Sequence, residues 1–517
     1  MRWPTARYDW PMAVSNKVMD SINTLSGLLR GFADVTPPLD CVVSGLSDDS
    51  RVLQPGQLFL AFPGSHSDGR NYLKSAVAAG AVAVAYESDA ERCAVGDIGV
   101  PAFAIDGLRE RVSEIAARYY GQPSCDLNIY AVTGTNGKTS CSHFLAQVLS
   151  QSKRCGVLGT LGNGLWGHLA PAPLTTPSAI VLQQMLAQMK ADGVADVVME
   201  ASSHGLAQGR LSAVKVNTAI FTNLTQDHLD YHHTMQDYAA SKQRLFDIST
   251  VEYAVINVYD AFGRQLADRL PANIHLYSYG LQAADGGERN AAQPMVLGRL
   301  CGSDIDGVEL EITTPEGAVS LKSRVYGRAN AENLLAVLAA LLANRMPLDE
   351  AVRRMSSIEP VRGRMERFGG VDKPLVFVDY AHTPDALASV LADLKRHCPG
   401  KLYLVFGCGG NRDRSKRASM GSIARRFADQ IIITDDNPRH EDANAIVNDI
   451  LEGIEDSDGV RIEHNRRQAI TLALAAARAS DVVLIAGKGH ENYQILGDRF
   501  LPFCDRDVVV SALGLAA

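Results

Sequence analysis

The stretch Ala131-Val132-Thr133-Gly134-Thr135-Asn136-Gly137-Lys138-Thr139-Ser140 leaves this chain few folds to choose from. The apolar run Leu127 to Val132 reads as a buried strand, and a helical pattern runs from His143 to about Leu149. Between them is a tight, glycine-bearing turn that ends in Lys-Thr. The unpaired N–H groups and dipole of a helix N-terminus favour an anion, and glycines let the backbone approach it closely. Lys138 is then placed to neutralise β- and γ-phosphates, and the Thr139 hydroxyl to sit on Mg²⁺. The usual Walker A spacing wants a glycine where Val132 stands, so this is a shorter P-loop variant. An ordinary Gly-rich turn would account for the glycines. It would not account for Lys-Thr after the last of them, with strand and helix on the proper sides, and the motif is read as nucleotide-binding.

A chain of 517 residues allows about three or four domains. The net charge of −8 gives no basic footprint, so no nucleic-acid partner is expected. The nine cysteines include no C-x-x-C pair and read as reduced thiols. Residues 1–20 carry no continuous apolar segment of signal-peptide type; they are an unassigned leader, with Met12 or Met19 as alternative starts. The longest apolar run, Ala336 to Ala343, is too short to span a bilayer. A cytoplasmic enzyme is the default expectation.

Beyond the leader, short apolar strands alternate with helices, which points to an α/β protein. The reading is a small first domain (21–105), a central P-loop domain built on a parallel sheet (106–360), and a doubly wound, Rossmann-like C-terminal domain (361–517). In the central domain three buried strands run into polar residues. Val194–Met199 leads to Glu200, Thr218–Phe221 to Thr222-Asn223 and Asp227-His228, and Tyr253–Ile256 to Asn257. The last region repeats the pattern at Asp379, at Gly407 to Arg412, at Asp435 to Arg439 and at Gly487 to Glu491. Open α/β sheets bind ligands beyond the carboxyl ends of their strands, so these ends are expected to converge.

Each candidate has a plainer alternative. Glu200 and His228 suit a Mg²⁺ or phosphate site next to a P-loop, although Mg²⁺ prefers oxygen and His228 is the less expected ligand. Taken singly they are solvated loop residues. Lys242, on a predicted helix, reads as a surface charge. Arg362, Arg364 and Glu366 at the domain junction form either a phosphate clamp or an inter-domain ion pair. Asp436-Asn437-Pro438-Arg439, with Arg412 and Glu491 on neighbouring strand ends, can grip a zwitterionic amino acid; the alternative is loop charges. Cys408 has no base nearby and reads as packing.

Assembled, these motifs resemble the Mur ligase family of peptidoglycan synthesis. The carrying residues are Thr133 to Thr139, Thr175-Thr176-Pro177, Glu200 to Gly205, Asn223 to His232, Gly363 to Glu366, Asp379 to Pro384, Asp436 to Arg439 and Gly487 to Glu491. The set resembles the branch that adds the third peptide residue. The P-loop variant alone would also fit a folylpolyglutamate synthetase.

The resemblance implies a three-domain, ATP-dependent, ADP-forming amide ligase that works as a monomer. It implies that Ser50, Ser65, His66 and Ser67 meet the UDP end of a UDP-muramoyl-dipeptide, and that Thr175, Thr176, Ser202, Gln208 and Arg210 line its channel. Asn330, Asn333, Arg364 and Asp379 match positions around ATP, with Thr133 to Thr139 on the phosphates. Lys242 matches a lysine that carries CO₂ as a carbamate, so Thr139, Glu200, His228 and carbamylated Lys242 become the Mg²⁺ ligands, and Lys138, Glu200, His228 and Lys242 the catalytic set. Arg412, Asp436, Asn437, Pro438, Arg439, Gly487 and Glu491 match the pocket for the incoming amino acid. There Arg439 favours meso-diaminopimelate over lysine, because a fork-shaped cation suits an extra buried carboxylate. Leu174 departs from a polar residue in relatives, and Ser140 and Ala201 are milder variants. A P-loop switch without ligase activity and a Rossmann oxidoreductase are the rivals; the second lacks a G-x-G-x-x-G.

Overall fold

A computed structural model describes residues 23–64, 67–88, 96–282 and 294–515. The leader, Ser65 and His66 lie outside the described residues. Four parallel strands, β1 (Gly45–Ser47), β2 (Gln57–Ala61), β3 (Ala83–Glu87) and β4 (Ala102–Ile105), form the first sheet in sequence order. Leu58, Leu60, Ala83 and Ala85 face the helix Leu108–Tyr119 on one side, while Phe59, Ala61 and Val84 face Leu73 and Ala76 on the other. Successive side chains point to opposite faces, so a sheet covered on both sides requires unbroken apolar runs such as Leu58–Ala61.

The central sheet has eleven strands. They are β5 (Asn128–Thr133), β6 (Cys155–Gly159), β7 (Gly162–Leu165), β8 (His168–Ala170), β9 (Asp196–Glu200), β10 (Thr218–Phe221), β11 (Tyr253–Asn257), β12 (His275–Leu281), β13 (Val296–Asp304), β14 (Gly307–Thr314) and β15 (Gly317–Ser323). Their order is β15-β14-β13-β12-β11-β10-β5-β9-β6-β7-β8. The run from β13 to β6 is parallel, and hairpins extend it antiparallel at both ends. β5 lies between β9 and β10, so the loop leaving it opens where the chain has gone to either side, the usual binding crevice of such sheets. Tyr130, Val132, Val198 and Ile220 pack against the helices Lys138–Leu149 and Arg328–Ala343. Ile129, Ala131, Val197 and Ala219 pack on the opposite face, toward the helix Ala179–Ala191.

The third sheet comprises β16 (Glu366–Gly369), β17 (Leu375–Asp379), β18 (Leu402–Phe406), β19 (Gln430–Ile433), β20 (Val460–Ile462) and β21 (Val482–Ala486), in the order β16-β17-β21-β18-β19-β20. All pairs are parallel except β16 with β17. A hairpin of β22 (Tyr493–Leu496) and β23 (Arg499–Pro502) follows. The helix expected from His143 begins earlier, at Lys138, because Gly137 takes the left-handed N-cap (φ +86°) and the polar residues Lys138 to Ser142 continue the helix. No helix among the described residues is long and apolar enough to cross a membrane.

Candidate active site

The loop after β5 is held by the loop after β10. Asn223 O accepts from Thr135 N at 2.8 Å, Asn223 Oδ1 accepts from Asn136 N at 2.9 Å, and Thr222 Oγ1 donates to Asn136 O at 2.6 Å. Thr133 ends the strand fully buried, its hydroxyl without a hydrogen-bond partner in the structure. Two positions demand glycine. A Cβ on Gly134 (φ +149°) would lie 1.8 Å from Thr222 Oγ1, and one on Gly137 2.4 Å from Asn333 Oδ1.

Two lysines converge on this loop. Lys138 Nζ donates to Gly134 O at 2.8 Å and Thr135 O at 2.9 Å; Lys242 Nζ donates to the same Gly134 O at 2.8 Å. Lys242 is 1% exposed and lies over the Tyr238 ring at 4.3 Å, so the surface charge expected from its helix is wrong. The helix Met235–Gln243 turns Tyr238, Ser241 and Lys242 inward together, at helical i, i+3, i+4 spacing. Burial holds the Lys242 amine well below its ordinary pKa and Lys138 adds repulsion. Burial thus makes this lysine give up its proton more readily than an exposed one would.

Glu200, at the end of β9, is 1% exposed. Its Oε2 accepts from Thr139 Oγ1 and Thr160 Oγ1, both at 3.0 Å, and its Oε1 accepts from Thr160 N at 2.8 Å. The Thr160 and Thr175 hydroxyls are 3.0 Å apart. Thr176 Oγ1 donates to Glu200 O at 2.7 Å and sits 2.9 Å from Ser202 Oγ. Arg210 Nη1 donates to Thr176 O at 2.6 Å, and its Nη2 donates to Gln208 Oε1, also at 2.6 Å. Thr175, Thr176, Ser202, Gln208 and Arg210 are thus one connected set that reaches Glu200, itself bonded to Thr139 of the loop. Ser50 and Ser67 are not hydrogen-bonded to it among the described residues. Leu174 is 43% exposed beside it.

The third sheet closes over the loop. Arg364 Nη2 donates to Thr139 Oγ1 at 3.1 Å and its guanidinium stacks on the Tyr380 ring at 4.3 Å. Asp379 accepts from Met365 N at 2.7 Å and Ala381 N at 2.8 Å; burial raises its pKa, against the pull of Arg364. His228 has a left-handed backbone (φ +56°) and lies 3.4 Å from Asp227. Asp227 also meets His382 at 3.5 Å and Lys416 at 3.6 Å, both from the third region. Burial opposes ionisation of Asp227, but His382, His228 and Lys416 hold its carboxyl well below the usual range. Burial likewise pushes the His228 pKa well below the ordinary imidazole value, against the pull of Asp227. His228 and Lys242 share Tyr238 as a neighbour without touching one another. Asn330 and Asn333 are joined at 3.3 Å, and Asn333 lines a pocket beside the P-loop with Asn136, Asn223 and Asn257.

A second cluster forms beyond β18, β19 and β21. Arg439, left-handed at φ +55°, points Nη1 at Gly410 O (2.9 Å) and at Asn437 O (3.5 Å), and has no carboxylate partner among the described residues. Burial lowers its pKa, as does Arg412, while Asp436 and Glu491 oppose them. Glu491 Oε2 accepts from Asn437 Nδ2 and from Lys488 Nζ, each at 2.8 Å. Gly487 (φ +109°) passes so close to Asp436 that a Cβ would lie 2.7 Å from its carboxylate. Pro438 turns the chain, its carbonyl accepting from Glu441 N at 3.1 Å. Arg412 is half exposed and reaches Asp230 of the central region at 3.7 Å. Cys408 is buried against Met420.

Sequence reasoning missed Thr160, Tyr238 and Lys416 altogether and gave no role to Asp227, His382 or Lys488. Thr160 carried the same signal as the others, a polar residue just past a buried strand. The remaining contacts join residues far apart in the chain. A larger cavity, ≈ 500 Å³, is lined by His143, Gln147, Trp166, Glu359 and Arg362 and lies outside these clusters.

The profile described as Mur ligase family, catalytic domain matches residues 42–120, that of the Mur ligase middle domain matches 132–341, and that of the Mur ligase, glutamate ligase domain matches 363–489. The chain is 45% identical over 469 residues to a Chromobacterium violaceum UDP-N-acetylmuramoyl-L-alanyl-D-glutamate–2,6-diaminopimelate ligase, covering 90% of this chain and 93% of the relative. A Coxiella burnetii protein of the same name is 42% identical over 475 residues, covering 92% and 96%. A solved structure of a ligase so named superimposes with a TM-score of 0.68 at 36% identity, covering 96% of this chain and 99% of that one. A Mycobacterium tuberculosis folylpolyglutamate synthase, solved with ADP and AMPPCP, shares the fold at a TM-score of 0.59 and 18% identity, covering 73% and 92%.

Proposed function

This chain belongs to the Mur ligase family, and from that premise we propose that it joins meso-diaminopimelate to UDP-N-acetylmuramoyl-L-alanyl-D-glutamate, with ATP converted to ADP and phosphate. The observation that carries the choice of amino acid is Arg439. Its guanidinium is fixed by carbonyls on one nitrogen, makes no ion pair among the described residues, and stands near Asp436, Asn437 and Glu491. Such a pocket suits an amino acid with both ammonium and carboxylate groups, and a fork-shaped cation suits the second carboxylate that diaminopimelate has and lysine lacks.

The chemistry has two steps. The D-glutamyl side-chain carboxylate attacks the γ-phosphorus of ATP, the bond to the β-phosphate oxygen breaks, and an acyl phosphate and ADP result. The amine of diaminopimelate then attacks the acyl carbon, a proton is lost from nitrogen, and phosphate leaves from the tetrahedral intermediate. Phosphoryl transfer of this kind needs positioning and charge neutralisation more than covalent help from the protein. Lys138 and the loop N–H groups serve the phosphates. Arg364, stacked on Tyr380 and bonded to Thr139, ties the third domain to the same place. Thr175, Thr176, Ser202, Gln208 and Arg210 lead the muramoyl-dipeptide toward Glu200.

The residues present fit Mg²⁺. Thr139 Oγ1 and Glu200 Oε2, 3.0 Å apart, offer two neighbouring oxygens, leaving other positions to phosphate and water. Bound there, Mg²⁺ supplies neutralisation of phosphate charge. His228 extends the set, and Lys242 joins it only as a carbamate, which the burial of its amine favours. A reaction on ATP and a UDP-linked precursor belongs in the cytoplasm, and every residue used comes from one chain.

The test is product mass after incubation with the UDP-muramoyl-dipeptide, ATP, Mg²⁺ and equimolar lysine and diaminopimelate. The diaminopimelate adduct is expected. A lysine adduct, or ATP consumption indifferent to either amine, would refute the reading.

A further inference from the structure

The amino-acid pocket is built from two loops, 407–412 after β18 and 436–441 after β19. They are joined backbone to backbone: Gly410 N donates to Asn437 O at 2.9 Å, and a Cβ on Gly410 would lie 2.0 Å from Pro438 O. His440 N donates to Asn411 Oδ1 at 3.0 Å. Beneath this seam lies Arg417, whose side chain is fully buried. Its Nη1 donates to Glu441 Oε1 and to Asp449 Oδ2, both at 2.7 Å. Its Nη2 donates to Glu441 Oε2 at 2.8 Å and to Gly409 O at 3.3 Å. Glu441 Oε2 in turn accepts from Asn411 N at 2.9 Å. One guanidinium therefore holds the carbonyl of the first loop and the carboxylate of the second, and that carboxylate holds the first loop again.

The consequence falls on Arg439. Its Nη1 rests on Gly410 O, one residue from the carbonyl that Arg417 holds, and its own backbone is left-handed. Asn411, between Gly410 and Arg412, is left-handed too (φ +52°). Two such residues in facing loops persist only where the surroundings over-determine them. We propose that Arg417, acting through Glu441, is the positioning residue that sets the aim of Arg439 and so sets the preference for an amino acid with a second carboxylate. The proposal rests on the diaminopimelate reading given above.

Arg417 touches neither substrate nor phosphate loop, so its loss should separate the kinetic constants. In Arg417→Lys the charge stays, but a single ammonium cannot bridge Glu441, Asp449 and Gly409 together. The KM for diaminopimelate should rise about tenfold or more, the KM values for ATP and the UDP-dipeptide should hold, and the preference for diaminopimelate over lysine should fall by a similar factor. Glu441→Gln, which keeps the shape and removes the charge facing Arg417, should move the same constants in the same direction. It decides the matter if Arg417→Lys does not fold. Unchanged preference in a folded variant, or a parallel fall in all constants with a lower melting temperature, would overturn the proposal. Wild-type protein assayed alongside separates this from the underlying reading, because wild-type enzyme without diaminopimelate-dependent product would refute that reading and not the positioning role.

Discussion

Replacing Arg439 by lysine tests the amino-acid pocket while keeping its charge. In the native residue Nη1 is committed to Gly410 O at 2.9 Å, and no protein acceptor among the described residues takes Nε or Nη2. Those two donors form the fork that a carboxylate can meet with two parallel bonds. An ammonium in the same place can keep one such bond, so the variant loses about one charge-assisted hydrogen bond, or about 1.5–3 kcal/mol. That predicts a fall of about 10–150-fold in kcat/KM for diaminopimelate. The left-handed backbone strains Arg and Lys alike, so it cancels from the comparison. The assay is initial-rate phosphate release at saturating ATP and UDP-dipeptide, with diaminopimelate and lysine varied separately. Lysine, lacking the far carboxylate, should lose little. An equal loss for both amino acids, or no loss for diaminopimelate, would refute the argument that Arg439 reads the second carboxylate.

Other outcomes follow from contacts already described. Gly134→Ala forces a Cβ to 1.8 Å from Thr222 Oγ1 and should abolish ADP binding by calorimetry while circular dichroism stays native; binding within threefold of wild type would count against the loop geometry. Lys242 should give a carbamate signal by ¹³C NMR after equilibration with labelled bicarbonate, absent in Lys242→Met. Asp505→Asn leaves the fully buried Arg466 without its counter-charge, a loss of about 3–5 kcal/mol, which lowers the melting temperature of the third domain by about 6–20 °C; a shift under 2 °C would contradict the pairing. Arg417 bonds to Glu441 and holds its pKa down at about 2, so this carboxylate adds stability above the ordinary carboxylate range that is lost as pH falls from about 4.5 toward 2, and Glu441→Gln should flatten the stability curve measured by urea titration in that window.

What could be read from the chain was whatever local pattern dictates. Buried strands covered on both faces need unbroken apolar runs, and Asn128–Thr133, Asp196–Glu200, Leu402–Phe406 and Val482–Ala486 announce themselves that way. The rule that ligands lie beyond strand ends singled out Glu200, Asn223, Asp379 and Arg439, and each lies at or past the carboxyl end of a strand in the two larger sheets. Hidden were contacts whose partners are distant in sequence. Lys242 meets the carbonyl of Gly134, 108 residues earlier, and a helix pattern cannot say which face meets a loop from elsewhere. Asp227 meets His382 and Lys416 across the junction of two sheets. Arg466 and Asp505, a pair with no exposed side-chain surface, look like two ordinary surface charges when met one at a time. The start of the helix after β5 was missed by more than a turn, because left-handed Gly137 let it begin at Lys138, inside what read as the loop, and not at His143.

The two clusters sit on different sheets: the proposed phosphate contacts on loops leaving β5, β9 and β10, the proposed amino-acid contacts on loops leaving β18, β19 and β21. Redrawing the loops 407–412 and 436–441 would therefore change what is gripped without replacing any residue of the loop that holds Lys138. The contacts of Arg412 with Asp230, and of His382 and Lys416 with Asp227, are the seams that any such refit has to keep.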